Sequence, residues 1–259
     1  MGALSVLFFH WLAVSDTGRK VLDRLEYFRY GDIWEHVKAG EKKVGYNAFG
    51  RFKGYRNILQ EEASKPAESR RNIVFIDSDL VFIKHIFGFY HSRGPGKEPF
   101  DVGLTYRMMP KFPVNTGVMF FHRERMDKGA QFMARVVDIY ERKKYPHDAL
   151  GDQMVMNDVL EVLGKKVDVT SKVYIQRAVD KNGTEVVLVH TDHWNFSPNR
   201  YCRVPRRTHI IHFKGDLKEK MYKYYKHVKL SLPKKDPTKM IADLNRFQAE
   251  KSRVRPCKY

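Results

Sequence analysis

The sequence predicts a single α/β domain over residues 1–229, in which helices flank a mixed central sheet, followed by a basic tail over residues 230–259. Short apolar, β-branched runs alternate with segments whose apolar residues recur at helical spacing, which is the pattern of an α/β layer architecture. A chain of 259 residues with 42% hydrophobic side chains can bury one sizeable core. No repeat, low-complexity block or long linker divides it.

The N-terminal part predicts one buried element followed by helices. Residues 3–14 (ALSVLFFHWLAV) form an apolar run that is too short to span a membrane and lacks the positive residues that open a signal peptide. We therefore expect a buried strand or helix there. The pattern of residues 16–65 favours helices joined by polar segments, with a surface helix at 49–63.

The clearest predicted strand is residues 73–76 (IVFI), which stop abruptly at Asp77. A continuous apolar run of this kind is typical of a parallel strand that is buried on both faces. A second apolar run, residues 80–83, follows directly. Downstream, the pattern predicts a loop at 91–99, strands at 100–106, 117–122, 186–190 and 209–213, helices at 128–143 and 151–163, and an amphipathic helix at 239–248.

The chain is strongly basic, with 48 Lys and Arg against 30 Asp and Glu and a formal net charge of +18. This excess fits an anionic partner, such as a phosphorylated or sulfated acceptor, a diphosphate, a membrane surface contacted peripherally, or nucleic acid. It fits a solvated basic surface equally well. Two cysteines cannot build a disulfide framework, and no segment is predicted to span a membrane. Glycosylation sequons at Asn182 and Asn195 leave the location open between the cytoplasm and the lumen of the Golgi or endoplasmic reticulum.

The first chemistry-bearing motif is Asp77-Ser78-Asp79, directly after the predicted strand. Two carboxylates that flank one residue can point the same way from extended backbone and share a hard cation such as Mg²⁺ or Mn²⁺. Ligands of open α/β sheets bind at the carboxyl ends of strands, which favours this interpretation. A pair of turn or capping aspartates is the alternative that the motif alone leaves open.

Two further polar pairs stand at the start of predicted elements. Asn115 and Gly117 begin a strand, where the amide could bond hydroxyl groups and the glycine could admit a substrate close to the backbone; a plain turn is the alternative. Asp152 and Gln153 begin a helix, where Asp is a favoured N-cap. Alternatively they face a substrate, and the carboxylate stabilises an oxocarbenium-like centre.

The last motif, at residues 209–220 (HIIHFKGDLKEK), supplies a late histidine and lysine. His212 could give a nitrogen ligand to the same cation, Gly215 a tight turn, and Lys218 a positive charge for a phosphate group. A histidine after an apolar run is more often a buried, hydrogen-bonded residue. The metal hypothesis therefore depends on the four motifs together.

In this order, the four motifs resemble the glycosyltransferases of the GT-A fold, in particular the glycogenin-like family 8 and related nucleotide-diphospho-sugar transferases. Members show an Asp-x-Asp after a strand, then Asn-x-Gly, then Asp-Gln at a helix start, and a late His-Phe-x-Gly-x-x-Lys. The resemblance spans residues 73–220. The pair Trp194-Asn195 is similar to an aromatic-Asn element that the family carries before the last motif.

The resemblance implies a Rossmann-like GT-A fold and a hexosyltransferase-type reaction that moves a sugar from a nucleotide-diphosphate sugar, expected to be a UDP-sugar, to an acceptor with retention of configuration. It implies Mn²⁺ (or Mg²⁺) bound by Asp77, Asp79 and His212. It makes Asp152, with Gln153 beside it, the catalytic pair. It assigns donor contacts to Lys53, Asn115, Gly117, Asn195, Gly215 and Lys218.

Two other functions stay open at this stage. A nucleic-acid-binding protein would explain the charge, although no recognised binding motif or zinc spacing is present. A metal-dependent nucleotidyltransferase or phosphodiesterase would hold two cations, with His190, Asp192 and His193 as a second cluster. Such enzymes usually need more clustered carboxylates. The order of the four motifs favours the glycosyltransferase.

Overall fold

The structure is a computed structural model that describes part of the chain. The residues described are 9–14, 25–28, 48–77, 79–82, 84, 86–90, 94–107, 113–143, 145, 151–162, 175–179, 183–197 and 204–213. The predicted tail with its helix at 239–248, and the predicted donor contacts Gly215 and Lys218, lie outside these residues.

The described residues form nine strands and four helices. The strands are β1 (Phe9–Val14), β2 (Leu25–Phe28), β3 (Asn72–Ile76), β4 (Leu80–Phe82), β5 (Val102–Tyr106), β6 (Val114–Phe121), β7 (Ile175–Val179), β8 (Glu185–His190) and β9 (Ile210–His212). The helices are α1 (Ala48–Ala63), α2 (Met126–Lys143), α3 (Gly151–Val162) and the single turn α4 (Thr191–Trp194). Short 3₁₀ turns lie at Ala67–Ser69, Ile86–Phe89 and Arg123–Arg125.

Seven strands form one mixed sheet in the order β2-β1-β3-β6-β5-β8-β7, and β4 with β9 forms a separate two-stranded ribbon. β5 and β8 run parallel, whereas the other neighbours in the sheet are antiparallel. The predicted fold class, mixed α/β with a mixed sheet flanked by helices, is confirmed. The parallel direction predicted for residues 73–76 is wrong, because β3 is antiparallel to both β1 and β6.

β3 is a continuous apolar run because both of its faces are buried. Ile73 and Phe75 belong to the core beneath the helices. Val74 and Ile76 belong to the core on the opposite face of the sheet. Burial on both faces produces such a run whatever the direction of the neighbouring strands, so the sequence pattern could not determine that direction.

The three long helices pack on one face of the sheet. From α1, Phe52, Tyr55 and Leu59 are buried at helical spacing in the same core as the α2 and α3 side chains. The Tyr55 ring stacks on Phe75 of β3, with ring centroids 3.8 Å apart. Burying an apolar side chain of this size contributes roughly 1.5–3 kcal/mol. α1 is therefore fixed against the strand that leads to Asp77.

The other face of the sheet is covered by the 3₁₀ turn Ile86–Phe89 and by β9. Phe89 stacks on Phe120 of β6 with ring centroids 3.7 Å apart, and Ile210 lies in the same apolar cluster. This packing places the β4–β9 ribbon against the sheet. Its register pairs Leu80 with His212, so the residue before β4 and the last residue of β9 become neighbours.

β6 contains an irregularity next to this ribbon. Leu104 of β5 pairs with Met119, but the following residue, Thr105, pairs with Asn115. Residues 116–118 are therefore extra on β6. Bulges of this kind bend a strand, re-aim its side chains and recur beside active sites.

The strand predicted at 117–122 begins earlier, at Val114, so Asn115 and Gly117 are its second and fourth residues. The bulge interrupts the apolar alternation there, and the interruption resembles a turn in the sequence. At the N-terminus, the predicted strand or helix in residues 3–14 is the strand β1. The prediction of helices over residues 16–65 is wrong at Leu25–Phe28, because this segment is the strand β2, which pairs with β1. No helix among the described residues has both the length and the apolar character needed to cross a bilayer.

Candidate metal centre

Asp77, Asp79 and His212 meet where β3 ends. One ligand atom from each lies within 4.8 Å of the other two. Asp77 follows β3 directly, and the β4–β9 pairing brings His212 to the two carboxylates. His212 Nε2 lies 2.9 Å from Asp79 Oδ1 and 3.6 Å from Asp77 Oδ2. The sequence-predicted ligands thus form one cluster.

A chain of hydrogen bonds fixes the proton of the histidine. The Thr105 hydroxyl donates to the carbonyl oxygen of Asn115 at 2.8 Å, so its oxygen can accept from Asn195 Nδ2 at 3.0 Å. The Asn195 amide is thereby oriented with Oδ1 towards His212 Nδ1, at 2.9 Å, and Nδ1 donates. This orientation turns Nε2 of the imidazole towards the two carboxylates. Metal-binding histidines are oriented in this way.

A nitrogen and a carboxylate oxygen 2.9 Å apart can share a proton, and they can equally serve as two ligands of one cation. Three ligands of one octahedral cation at about 2.1 Å lie roughly 3 Å apart, which is close to the spacing seen here. Asp77 and Asp79 keep 19% and 13% of their side chains exposed, whereas His212 keeps 4%. The cluster can therefore hold a divalent metal ion that is reached from the carboxylate side.

Gly117 leaves room for this arrangement. A Cβ atom at this position would lie 2.5 Å from His212 Cε1 and 3.0 Å from Asp77 Oδ2. The Gly117 N–H donates to Asn115 Oδ1 at 3.0 Å, and its carbonyl oxygen accepts from Asp77 N at 2.9 Å. The glycine thus admits two cluster side chains close to the β6 backbone. Its contact with a substrate stays a prediction.

A buried arginine connects the cluster to Asp152. Arg51 of α1 is only 2% exposed, and its guanidinium donates to Asp77 through Nη1 and to Asp152 through Nη2. Nη2 also donates to Thr116 Oγ1 at 2.8 Å, and the Thr116 hydroxyl donates to Asp152. Because a buried charge is strongly destabilising unless it is paired, these ionised groups depend on one another.

Asp152 and Gln153 are both buried in the first turn of α3. Asp152 Oδ1 accepts the Gln153 N–H at 2.8 Å, and the positive end of the helix dipole favours the carboxylate there. Gln153 Oε1 accepts from the guanidinium of Arg107, which follows β5. Asp152 lies inside α3 as its second residue, and its other oxygen is bound by Arg51 and Thr116.

Arg107 is the second arginine of the site. Burial lowers the pKa of Arg107, and the negative charge of Asp152 opposes this shift. An arginine remains protonated across the physiological range even so. Three carboxylates and two guanidinium groups converge here, those of Asp77, Asp79, Asp152, Arg51 and Arg107. Their formal charges sum to one net negative charge before any cation is added.

The structure describes four of the six predicted donor contacts. Asn115, Gly117 and Asn195 lie at the cluster, where Asn195 is fully buried and orients His212. Lys53 is not brought to the cluster. Its ammonium group forms an ion pair with Glu141 of α2 at 2.9 Å, and its side chain is 44% exposed.

Sequence reasoning missed the two arginines and the two threonines that hold the site together, namely Arg51, Arg107, Thr105 and Thr116. One signal was available for Arg51. It lies four residues before Tyr55, on the same face of α1 as the buried stripe, whereas Lys53 does not share that face. The others carry no comparable signal in the sequence.

His190, Asp192 and His193 do not form the second metal cluster that a two-cation enzyme would need. Among the described residues, Asp77, Asp79 and His212 are the group whose ligand atoms come close enough to share an ion. His190 Nδ1 instead accepts the Asp192 N–H at 3.2 Å and so caps α4.

Comparison with known proteins gives no relative for this site. No protein-family model matches the chain, and no curated protein or solved structure matches it either. The geometry of the site is therefore the basis for its interpretation.

Proposed function

We propose that this protein is a divalent-cation-dependent glycosyltransferase of the GT-A type. It moves a sugar from a nucleotide-diphosphate sugar, expected to be a UDP-sugar, to an acceptor. The observation that carries the proposal is the convergence of His212 Nε2 with the carboxylates of Asp77 and Asp79 where β3 ends. Such a ligand set leaves coordination positions for phosphate oxygens. The resemblance of the ordered motifs to GT-A enzymes supports the same function.

Asp77, Asp79 and His212 would hold Mn²⁺ or Mg²⁺. When bound, the cation would neutralise negative charge on the diphosphate leaving group. The imidazole ligand favours Mn²⁺, since nitrogen ligands suit transition metals better than Mg²⁺. The residues alone carry one net negative charge, so the site with a divalent cation would be positive and would suit a diphosphate.

Asp152 is the carboxylate best suited to act on the sugar. Arg51, Thr116 and the Gln153 N–H hold both of its oxygens, and it is 4% exposed. A fixed, buried anion of this kind stabilises positive charge that develops at the anomeric carbon during transfer. Gln153, whose Oε1 is held by Arg107, adds one amide NH₂ group beside it that can donate to sugar hydroxyls.

Donor hydrolysis tests the proposal. The protein is incubated with a panel of UDP- and GDP-sugars in the presence of Mn²⁺, Mg²⁺ or a chelator, and the released nucleoside diphosphate is measured. We expect release that depends on the cation and that falls at least about 10²-fold in Asp79→Asn. Asp138→Asn is the matched control, because Asp138 is an exposed carboxylate that pairs with Arg142 on the surface of α2. Release that persists with the chelator would refute the cation site.

The stereochemistry of transfer needs a separate measurement. Proton NMR of the first sugar released or transferred reports the anomeric configuration before mutarotation. Retention is expected from the resemblance to family 8. Inversion would leave the cation site intact but would exclude that family's reaction course.

A further inference from the structure

The two carboxylate oxygens of Asp77 face different partners. Oδ1 accepts a hydrogen bond from Arg51 Nη1, whereas Oδ2 lies 3.6 Å from His212 Nε2. The same Nε2 lies 2.9 Å from Asp79 Oδ1. In the metal cluster formed by Asp77, Asp79 and His212, the Asp77 oxygen that faces the histidine is therefore Oδ2. Its other oxygen is turned towards the positive charge of a buried arginine.

Arg51 is held so that its Nη1 stays directed at Asp77. Nη2 of the same guanidinium donates to Asp152 and, at 2.8 Å, to Thr116 Oγ1. The guanidinium carbon lies 5.3 Å from the centroid of the buried Phe52 ring. Because the guanidinium is planar and rigid, Nη1 cannot turn away from Asp77 without disturbing the two bonds of Nη2. The bond to Asp77 is thus part of a fixed, buried arrangement.

The backbone of β6 restrains Asp77 from the other side. The Asp77 N–H donates to the Gly117 carbonyl oxygen at 2.9 Å, and a Cβ atom on Gly117 would lie 3.0 Å from Asp77 Oδ2. Rotation of the carboxylate that turned Oδ1 towards His212 would break the bond to Arg51. A buried guanidinium would then lose one of its acceptors, which is costly. The carboxylate is therefore fixed at both of its oxygens.

We propose that Arg51 determines the specificity of the metal cluster for small divalent cations. By holding Asp77 Oδ1, it limits Asp77 to one ligand oxygen. Mg²⁺ takes six ligands at about 2.1 Å, whereas Ca²⁺ takes six to eight at roughly 2.3–2.6 Å and often uses both oxygens of one carboxylate. The restriction therefore favours Mg²⁺ over Ca²⁺. This inference rests on the cation site of the proposed function.

Charge acts in the same direction as geometry. A cation bound by both oxygens of Asp77 would lie closer to the Arg51 guanidinium than one bound by Oδ2 alone, and two positive charges repel more strongly at shorter distance. The imidazole of His212 does not produce this preference, because Mg²⁺ and Ca²⁺ both prefer oxygen ligands. A comparison of these two ions therefore isolates the contribution of Arg51 from that of the histidine.

Competition against Mn²⁺ measures the preference without any sugar or nucleotide. Bound Mn²⁺ is followed by electron paramagnetic resonance while Mg²⁺ or Ca²⁺ displaces it, and the two curves give the ratio of the Ca²⁺ affinity to the Mg²⁺ affinity. Both ions carry the same charge, so the ratio cancels general charge effects. In the unmodified protein we expect Ca²⁺ to bind no more tightly than Mg²⁺. Clearly tighter binding of Ca²⁺ would overturn the proposal.

Arg51→Gln should release the restriction. We expect the ratio of Ca²⁺ to Mg²⁺ affinity to rise about tenfold, the lower end of the effect of residues that support metal ligands. Arg107→Gln is the matched control, since it removes the same charge beside Asp152 but its guanidinium binds Gln153. The ratio should stay unchanged in this control. No rise in the first variant, or an equal rise in both, would overturn the role of Arg51.

A double variant keeps the test valid if Arg51→Gln does not fold. Arg51→Gln combined with Asp152→Asn removes the guanidinium together with one of the two carboxylates that it neutralises, so fewer buried charges are left unpaired. Its ratio of affinities should rise by the same factor, and an unchanged ratio would overturn the proposal. Absence of any Mn²⁺ binding would overturn the cation site as well, whereas Mn²⁺ binding with an unchanged ratio would overturn only the role of Arg51.

Discussion

The two ends of the β4–β9 ribbon differ in charge and in how their side chains are held. The acidic end carries Asp77, Asp79 and His212, and the basic end carries Lys84 and His209. At the acidic end, side chains hold other side chains: Asn195 orients His212, and Arg51 binds Asp77. At the basic end, the Lys84 ammonium donates to a backbone carbonyl. Substitution at the acidic end should therefore disturb geometry and stability together. Substitution at the basic end should change mainly charge.

The largest expected effect is a loss of stability on substitution of Arg51, the arginine that binds Asp77 at the acidic end. Arg51→Met leaves Asp77 and Asp152 without their buried counter-charge, and we expect a loss of about 3–5 kcal/mol in the free energy of unfolding. Lys53→Met, two residues along the same helix, removes an exposed ion pair and should change it by about 0.5 kcal/mol or less. Urea denaturation measures both. Similar losses in the two variants would show that Arg51 does not hold the acidic end together.

Substitution of Asp152 should lower turnover without changing the affinity for the cation. Asp152→Asn keeps the size of the side chain but removes the charge beside the proposed reaction centre, and turnover should fall at least about 10²-fold. Mn²⁺ affinity should change little, because Asp152 is not a member of the metal cluster. Asp158→Asn, on the same helix and paired with Lys143, is the control. Retained turnover would reduce Asp152 to a structural residue.

Gly117 tests whether the acidic end needs the observed geometry. In Gly117→Ala the new methyl group would lie 2.5 Å from His212 Cε1, so the imidazole must move. We expect Mn²⁺ affinity, measured by electron paramagnetic resonance, to fall by roughly 10- to 100-fold. Gly88→Ala is the control, since its nearest contact would be an ordinary 3.6 Å. Unchanged Mn²⁺ affinity in the first variant would exclude His212 as a ligand in this position.

The smallest expected effect is a pH-dependent change in stability on substitution of His193, which lies beside His209 at the basic end. The pKa of His193 is about 4 in the folded protein and 6.5 for an ordinary histidine, so the unfolded chain binds more protons between these values. Stability should thus fall as the pH falls from 6.5 to 4, and this fall should be shallower in His193→Gln. Because the group is half-buried, the difference should stay below about 1 kcal/mol. Urea denaturation at neutral and acid pH gives the two slopes, and equal slopes would contradict the assignment.

The sequence predicted most elements but not their directions. The helices α2 and α3 follow from apolar spacing, since their buried positions recur at helical intervals. β7 was not predicted, because Gln176, Arg177 and Ala178 interrupt its apolar residues and its side chains alternate between exposed and half-buried. The direction of β3 was mispredicted because burial on both faces hides strand direction.

The site was predictable where a motif is local and unpredictable where a contact is distant. The order of Asp77, Asp79 and His212 suggested one cluster, and the structure brings the three together. Lys53 was the residue of α1 predicted to contact the donor, whereas the buried cation of this helix is Arg51. Burial of Arg51 is decided by carboxylates far along the chain, which no local pattern reveals.

The pairing of Leu80 with His212 has a consequence for synthesis on the ribosome. A nascent chain carries both aspartates early, but it lacks the histidine until the ribosome has translated nearly all of the described sequence. The last strand to emerge among those described is therefore the one that completes the cluster. A cation held there would favour the docked state of that strand by mass action, so metal supply during translation would influence how much of the newly made chain reaches its final form.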